Sequence, residues 1–395
     1  MSSHSVSYFD IEGYCVVPGP VPAASLDPDA GNVFPKFVNQ LSDTAWELWY
    51  FDGGSDNGRT AFTLKEGGWR VQIFAQWPDG SMWNNELYFV ESVVTTDGGG
   101  SNGRVHGFWS VRDNQSGVSF TVDPGLSAAT LSFNIPQRVV GTVVLKTLDG
   151  NRQGFPSSEA AALLCPDMYY IRPISLAGAE AHLVFHSAGT DGAGESSREF
   201  TFVSGRGGMD RCWTSLSWPQ LLSESYFQRA HVGPYNVQLM RILLPAASGR
   251  TPYVTARLWK HQELVCAAQQ VIEAADLERL SSEGSLPAQD FITIAKVYEN
   301  NEEGGGSGVT GAFRDKNVGY TIQFVGGERE GGGESTGVRP RWRFQVRHVR
   351  PWWNMPTSPP GPNATGNSAF LDVVTGGAQG EVWPSGTGDS GQLEL

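Results

Sequence analysis

Apolar and polar positions alternate with a period of two along most of this chain. WRVQIFAQW (residues 69–77) sets Trp69, Val71, Ile73, Ala75 and Trp77 against Arg70, Gln72, Phe74 and Gln76, the signature of a β-strand with two distinct faces. ELYFVESVV, VHGFWSV, VSFTV, ATLSFNI, VVGTVVLKTL, MYYIRPI, AHLVFHS and REFTFVS continue the pattern, separated by polar or glycine-rich turns. Strands this short and closely spaced predict an antiparallel sandwich or open barrel. GRGGMDRCWTSLSWPQ (residues 205–220) interrupts the rhythm with glycines and a proline. It reads as a long connection at a domain junction, and the boundary is placed between residues 222 and 223.

A second set of strands follows: YFQRAHVG, YNVQLMRILLP, YVTARLWK, ELVCAAQQV, GVTGAFRD, GYTIQFVGG, RWRFQVRHV and AFLDVVTGGAQGEVW. About eight strands suit a small up-and-down barrel whose mouth can hold an apolar ligand. EAADLERLSS (residues 273–282) is the best helix candidate. The opening to about Leu41 reads as irregular chain on the surface, and EGGGSG and GEREGGGESTG as loops. The expected architecture is all-β, with domains 1–222 and 223–395.

One stretch resists this scheme. In TAWELWYFDG (residues 44–53) alternation puts Trp46, Leu48 and Tyr50 on one face and Glu47, Trp49 and Phe51 on the other. Neither face is plainly the wet one, and a carboxylate shares its face with large rings. Two roles fit Glu47: a buried structural acid paired with an arginine, or a polar group in a pocket wall.

Composition narrows the function classes. The chain has 395 residues, 49 of them glycine and 23 proline, with 13 tryptophans and 20 phenylalanines. So many rings favour an aromatic-lined pocket. A net charge of -13 argues against nucleic acid, whose phosphates need basic clusters. RWRFQVRHVR (residues 341–350) is locally basic, but its alternation reads as a strand. No apolar run is long enough for a membrane span and no leader pattern opens the chain. Cys15, Cys165, Cys212 and Cys266 lack metal-ligand spacing, so free thiols in a cytoplasmic protein are expected. The sequons at Asn114 and Asn363 are then chance matches.

Catalytic constellations are sparse. No serine sits in a nucleophile elbow, and His182 and His186 lie in strand context, which disfavours a metal pair. Glu47, Asp52, Glu86, Glu91, Asp210 and Glu224 lie near aromatics, as carboxylates of a glycosidase cleft would. Five segments that mix rings with amide, carboxyl or hydroxyl groups form the strongest local signal: WELWYFD, FAQWPDGSMWNNELYF, MYYIRP, CWTSLSWPQ and SESYF.

Over nearly its whole length the sequence resembles the fungal decalin-forming Diels–Alderases of polyketide–amino acid pathways. GNVFPKF (residues 31–37) followed by TAWELWYFDG carries the resemblance, with GGMDRCWTSLSWPQ, SYFQRAHVGPY, FRDKNVGYTIQF, RWRFQVRH and WNMPTSPPGPNATGN. The resemblance implies an N-terminal β-sandwich, a C-terminal lipocalin-like β-barrel and a substrate pocket between them. It implies a cofactor-free, metal-free intramolecular [4+2] cyclisation of a linear polyenoyl tetramic acid to a trans-decalin, downstream of a polyketide synthase–peptide synthetase. A small-molecule substrate, no nucleic acid and no membrane complete the expected partners.

The resemblance points to Glu47, Trp49, Asp52, Tyr169, Tyr170, Trp213, Trp218 and Tyr226, with Trp342 and Asn354 from the barrel. Tyr170, Gln76 and Asn85 are assigned to hydrogen-bond the tetramic acid or its neighbouring carbonyl, and Glu47 to orient a hydrogen-bonding neighbour or the polar head of the substrate. Trp213, Trp218, Trp342 and Phe344 are assigned as walls that fold the polyene, while Arg343 is read as a solvated residue opposite Trp342. A pericyclic step needs no nucleophile or base, only an entropy trap and a well-placed hydrogen bond. A carrier of an apolar metabolite and a hydratase using the carboxylates, as in lipocalin-like carotenoid hydratases, are the competing readings.

Overall fold

The computed structural model describes the chain except residues 1–4, 11–15, 39, 56–60, 68–69, 98–102, 112–115, 149–154, 188–195, 299–316, 329–338 and 360–363. Trp69, Cys15, the sequon asparagines Asn114 and Asn363, the EGGGSG loop, most of GEREGGGESTG and the strand expected at GVTGAFRD lie outside the described residues. The chain divides into two compact units, Met1–Ser217 and Trp218–Leu395.

The first unit is built on one large antiparallel sheet. Its order runs from Ser5–Asp10 through Glu91–Asp97, Arg104–Ser110, Gly117–Val122, Ala128–Ile135 and Val139–Thr147 to the 20-residue strand Met168–Ser187. It continues through Gly205–Thr214, Trp46–Ser55, Ala61–Gly67 and Arg70–Gln76 to Met82–Tyr88. The sheet curls until its two halves face each other as a sandwich. Trp49 meets Trp109 edge-on at 6.2 Å and Phe120 at 5.6 Å, and Phe51 meets Phe120 at 5.4 Å. Val71, Ile73, Ala75 and Trp77 enter this core as their alternation requires. Each fully buried large side chain contributes roughly 1.5–3 kcal/mol.

Two expectations fail here, both for reasons of packing. GRGGMDRCWT is a strand, Gly205–Thr214, deep in the sheet and hydrogen-bonded to Met168–Ser187 on one side and Trp46–Ser55 on the other. Its glycines are sites of close approach: a Cβ on Gly207 would lie 2.3 Å from the Asp52 carbonyl oxygen. The opening segment is not all surface. Ser5–Asp10 is a strand paired with Glu91–Asp97, and Asn32 and Lys36 are buried.

Among its described residues the second unit is a β-barrel of ten strands, from Glu263–Ala268 through Pro252–Lys260, Tyr235–Leu243, Glu224–Val232, Trp383–Glu394, Gly366–Ala378, Arg341–Pro356, Asn317–Val325 and Phe291–Tyr298 to Val271–Glu273. The sheet's two ends approach each other, leaving it nearly closed. Trp342, Phe344 and Val346 point into the barrel core, while Arg343 and Arg347 are exposed, so the basic stretch is the outer face of a barrel strand. The expected helix is present as the turn Ala274–Asp276 followed by Leu277–Ser282. Among the described residues no helix is long and apolar enough to cross a membrane.

Candidate active site

Strand Trp46–Ser55 lies between Gly205–Thr214 and Ala61–Gly67. Cross-strand register places Glu47 opposite Trp213, Trp49 opposite Arg211, and Tyr50 opposite Asp210. Directly paired residues share a face of the sheet. The two faces therefore carry different polar clusters, and Glu47 and Asp52 belong to different ones.

On the face of Glu47, the carboxylate binds Arg211 at 2.7 Å and accepts the backbone N–H of Lys36 at 3.0 Å. Arg211 lies over the Trp49 ring at 4.0 Å and donates to the carbonyls of Leu48, Phe34 and Asn32. Burial pulls the Arg211 pKa down, and Glu47 opposes that shift. Trp49 donates its indole N–H to the Val33 carbonyl at 2.8 Å. Lys36 donates to the Ser25 carbonyl and to Asn32 Oδ1, both at 2.9 Å. Its pKa falls to about 7, chiefly through burial and secondly through Arg211. This cluster rivets the GNVFPKF segment onto the sheet, and Glu47 has its arginine.

The other face carries a second buried network. Arg172 grips Asp52 with two nitrogens, at 2.9 and 3.2 Å, and Asp210 at 2.7 Å. Tyr170 donates its phenolic hydrogen to the other oxygen of Asp210 at 2.9 Å. The Arg-Pro pair at 172–173 lies in a register shift between Ile171 and Ile174; such a bulge re-aims a side chain. Gly208 makes the space, since a Cβ there would stand 2.3 Å from Arg172 Nη2. Gln72 and Gln76 alternate onto this face with Phe74. All three are buried yet lie outside the apolar core of the sandwich. Gln72 donates to Glu86 on the next strand, and no partner is found for Gln76 Oε1 among the described residues. A buried face this rich in amides, phenol and carboxylates can hold the polar group of a ligand.

The expected site residues therefore divide. Tyr170, Asp52 and Gln76 share the polar face. Glu47, Trp49, Tyr169 and Trp213 lie on the opposite one, with Tyr169 stacked on Trp213 at 4.9 Å and 5°. Asn85 sits between Trp83 and Leu87 on the core side of strand Met82–Tyr88, opposite Ile73. Sequence reasoning missed Arg172, the hub of the polar face; the Arg-Pro break inside a strand pattern was its one signal.

In the second unit Tyr226 stacks on Tyr320 at 3.7 Å and donates to Gln228 at 2.6 Å. Its pKa is pushed well up by burial. Phe344 meets Tyr235 at 5.6 Å, so Tyr226, Trp342 and Phe344 are packed parts of the barrel interior. Asn354 is exposed and accepts from Ser368 at 2.7 Å, and Trp218 opens the short helix Trp218–Leu221.

The carboxylates singled out for a glycosidase reading are engaged elsewhere. Besides Glu47, Asp52 and Asp210, Glu91 accepts from Ser110 and Glu224 binds Arg241 at 2.7 Å. Among the described residues no cluster of three or more His, Cys, Asp and Glu side chains could hold a metal ion. Cys165, Cys212 and Cys266 are buried free thiols.

A family model described as Diels-Alderase-like matches residues 1–395. The Diels-Alderase fsa2 of Fusarium heterosporum is 40% identical, with 100% of both chains covered. The Diels-Alderase gNR600 of a fungal species (strain NRRL 50135) is 38% identical over 100% of this chain and 99% of its own. The crystal structure of CghA with Sch210972 superposes with a TM-score of 0.82 at 32% identity, covering 99% of this chain and 98% of that one.

Proposed function

Because this chain belongs to the Diels-Alderase-like family and is a Diels–Alderase, we propose that its reaction is the intramolecular [4+2] closure of a linear polyenoyl tetramic acid to a trans-decalin. The observation that carries this reading is the buried polar face around Tyr170, Asp210, Arg172 and Asp52, with Gln76 beside it.

The bookkeeping of the step explains why such a face suffices. Two carbon–carbon σ bonds form, two π bonds are consumed and one π bond moves between the former diene carbons. No proton, electron or leaving group is exchanged. The barrier then yields to holding diene and dienophile at contact distance and to withdrawing electrons from the dienophile. In this reading the Gln76 amide donates to the carbonyl conjugated with the dienophile. Asp52, held rigid by Arg172, accepts from an N–H or enol O–H of the tetramic acid. Tyr170 spends its hydrogen on Asp210, so its oxygen can only accept, and it serves to hold that carboxylate. A substrate of this kind is a polyketide chain joined to an amino acid, the product of a polyketide synthase–peptide synthetase.

The deciding experiment incubates purified protein with a linear polyenoyl tetramic acid and resolves the products by chiral chromatography. One decalin diastereomer, formed faster than without protein, supports the proposal. A product mixture equal to the spontaneous one overturns it. Saturable binding with the ligand recovered unchanged would point to a carrier instead.

A further inference from the structure

The first unit holds a cavity of about 420 Å³ that the cyclisation reading does not use. Its walls are residues 21–26 and Pro28, the stacked pair Tyr169 and Trp213, and Thr214, Ser215, Glu159 and Asp167. Trp213 lies on the face of strand Gly205–Thr214 opposite to Asp210, so this space is on the other side of the sheet from the Tyr170–Asp210–Arg172–Asp52 network.

Three observations bear on what would fill it. The strap that forms one wall is held in place before any ligand arrives. Prolines stand at 20, 22 and 28; the Ala24 N–H donates to the Lys36 carbonyl at 2.7 Å, and the Asp29 N–H to Pro156 at 3.0 Å. Asn32 closes a further pair of hydrogen bonds with the backbone of Asp27, each 2.8 Å. A site organised in this way loses little entropy on binding.

The charge of the lining has one sign. Among the described residues that line it, Glu159 and Asp167 are the charged ones, with no lysine, arginine or histidine. Glu159 accepts the Tyr169 hydroxyl, which leaves its second oxygen with acceptor capacity. Burial, followed by Glu159, raises the Tyr169 pKa to about 12, so this phenol remains a donor and does not add a third negative charge.

The nearby cations are spent within the chain. Lys36 Nζ sits 4.7 Å from the Trp213 ring but points its hydrogens to Ser25 and Asn32. Arg211 is committed to Glu47 and three backbone carbonyls. Of the two, Lys36 still feels the charge of Glu159, but its hydrogens are spent on Ser25 and Asn32. Stacked rings backed by carboxylates attract an organic cation both through the ring quadrupole and through direct charge.

We infer that the space beneath the 21–28 strap is a second binding site of this protein, for a small organic ammonium compound with an apolar body. The inference uses none of the polar-face residues, and it gives Tyr169 and Trp213 a ligand other than the polyene that the resemblance assigned to them.

The test is calorimetric titration of the full chain at neutral pH with three probes of matched shape: benzylamine, benzyl alcohol and benzoate. Benzylamine is expected to bind one to one, about tenfold tighter than benzyl alcohol, with benzoate failing to bind. The double variant Glu159→Gln, Asp167→Asn is expected to lose about tenfold in amine affinity. Ala24→Trp, which fills the cavity from the strap, is expected to abolish binding with the circular dichroism spectrum retained. Asp52→Asn reports on the other face and is expected to leave amine binding unchanged. Equal affinity for the three probes, loss of binding in Asp52→Asn but not in the acid variant, or no saturable amine binding up to about 10 mM would each overturn the inference.

Discussion

Asp52 and Asp210, on adjacent strands, share one guanidinium: Arg172 Nη1 stands 2.9 Å from Asp52 Oδ1 and 2.7 Å from Asp210 Oδ1. Two carboxylates converge in a buried place and one arginine compensates both. The side chain of Arg172 is 2% exposed, so water contributes little to that compensation.

Removing the arginine strands two buried charges. Arg172→Met is expected to destabilise the first unit by roughly 3–5 kcal/mol, the cost of breaking a buried pair from one side. Urea unfolding followed by tryptophan fluorescence measures it. A change under about 1 kcal/mol would mean the network is solvated.

Gly208→Ala tests the same site through space rather than charge. The added methyl would lie 2.3 Å from Arg172 Nη2 and 2.5 Å from the Ile174 carbonyl oxygen. Backbone cannot yield there, so a loss of about 1–3 kcal/mol is expected from overpacking. A melting temperature equal to wild type would contradict the close approach.

Activity separates the residues of the polar face. Gln76→Leu removes the proposed donor to the activated carbonyl, and kcat is expected to fall by roughly 10- to 100-fold, the equivalent of one hydrogen bond made in the transition state. Tyr170→Phe keeps the ring and loses only the bond to Asp210. Its kcat is expected to change by less than about tenfold, while stability falls by about 1–2 kcal/mol. The reverse ranking would make Tyr170 the donor.

Lys36 links stability to pH. Its pKa in the folded chain is about 7 against an ordinary 10.5. Between those values the unfolded chain binds more protons than the folded one, so unfolding free energy rises with pH across that window. Below about pH 7 both states are protonated and the stabilisation is gone. The urea midpoint of wild type, compared with Lys36→Met at each pH, should therefore rise from neutrality toward pH 10. A constant difference between the two proteins would show that Lys36 keeps its ordinary pKa.

Local pattern was enough for much of this protein. The alternation of RVQIFAQ placed Val71, Ile73 and Ala75 in the core, and RWRFQVRHV correctly read as a strand with Trp342 and Phe344 inward and Arg343 outward. Two β units, the short helix near residue 280 and the family were legible because each depends on residues close together in the chain.

What tertiary structure alone decided was pairing. GRGGMDRCWT has the glycine content of a loop, and it becomes a strand because its neighbours on both sides need glycine for close approach. TAWELWYFDG shows that Glu47 and Asp52 differ in parity, but not that Arg211 waits on one face and Arg172 on the other. Those arginines come from strands 164 and 120 residues away in sequence. Alternation states which side chains travel together; only the register of distant strands states what they meet.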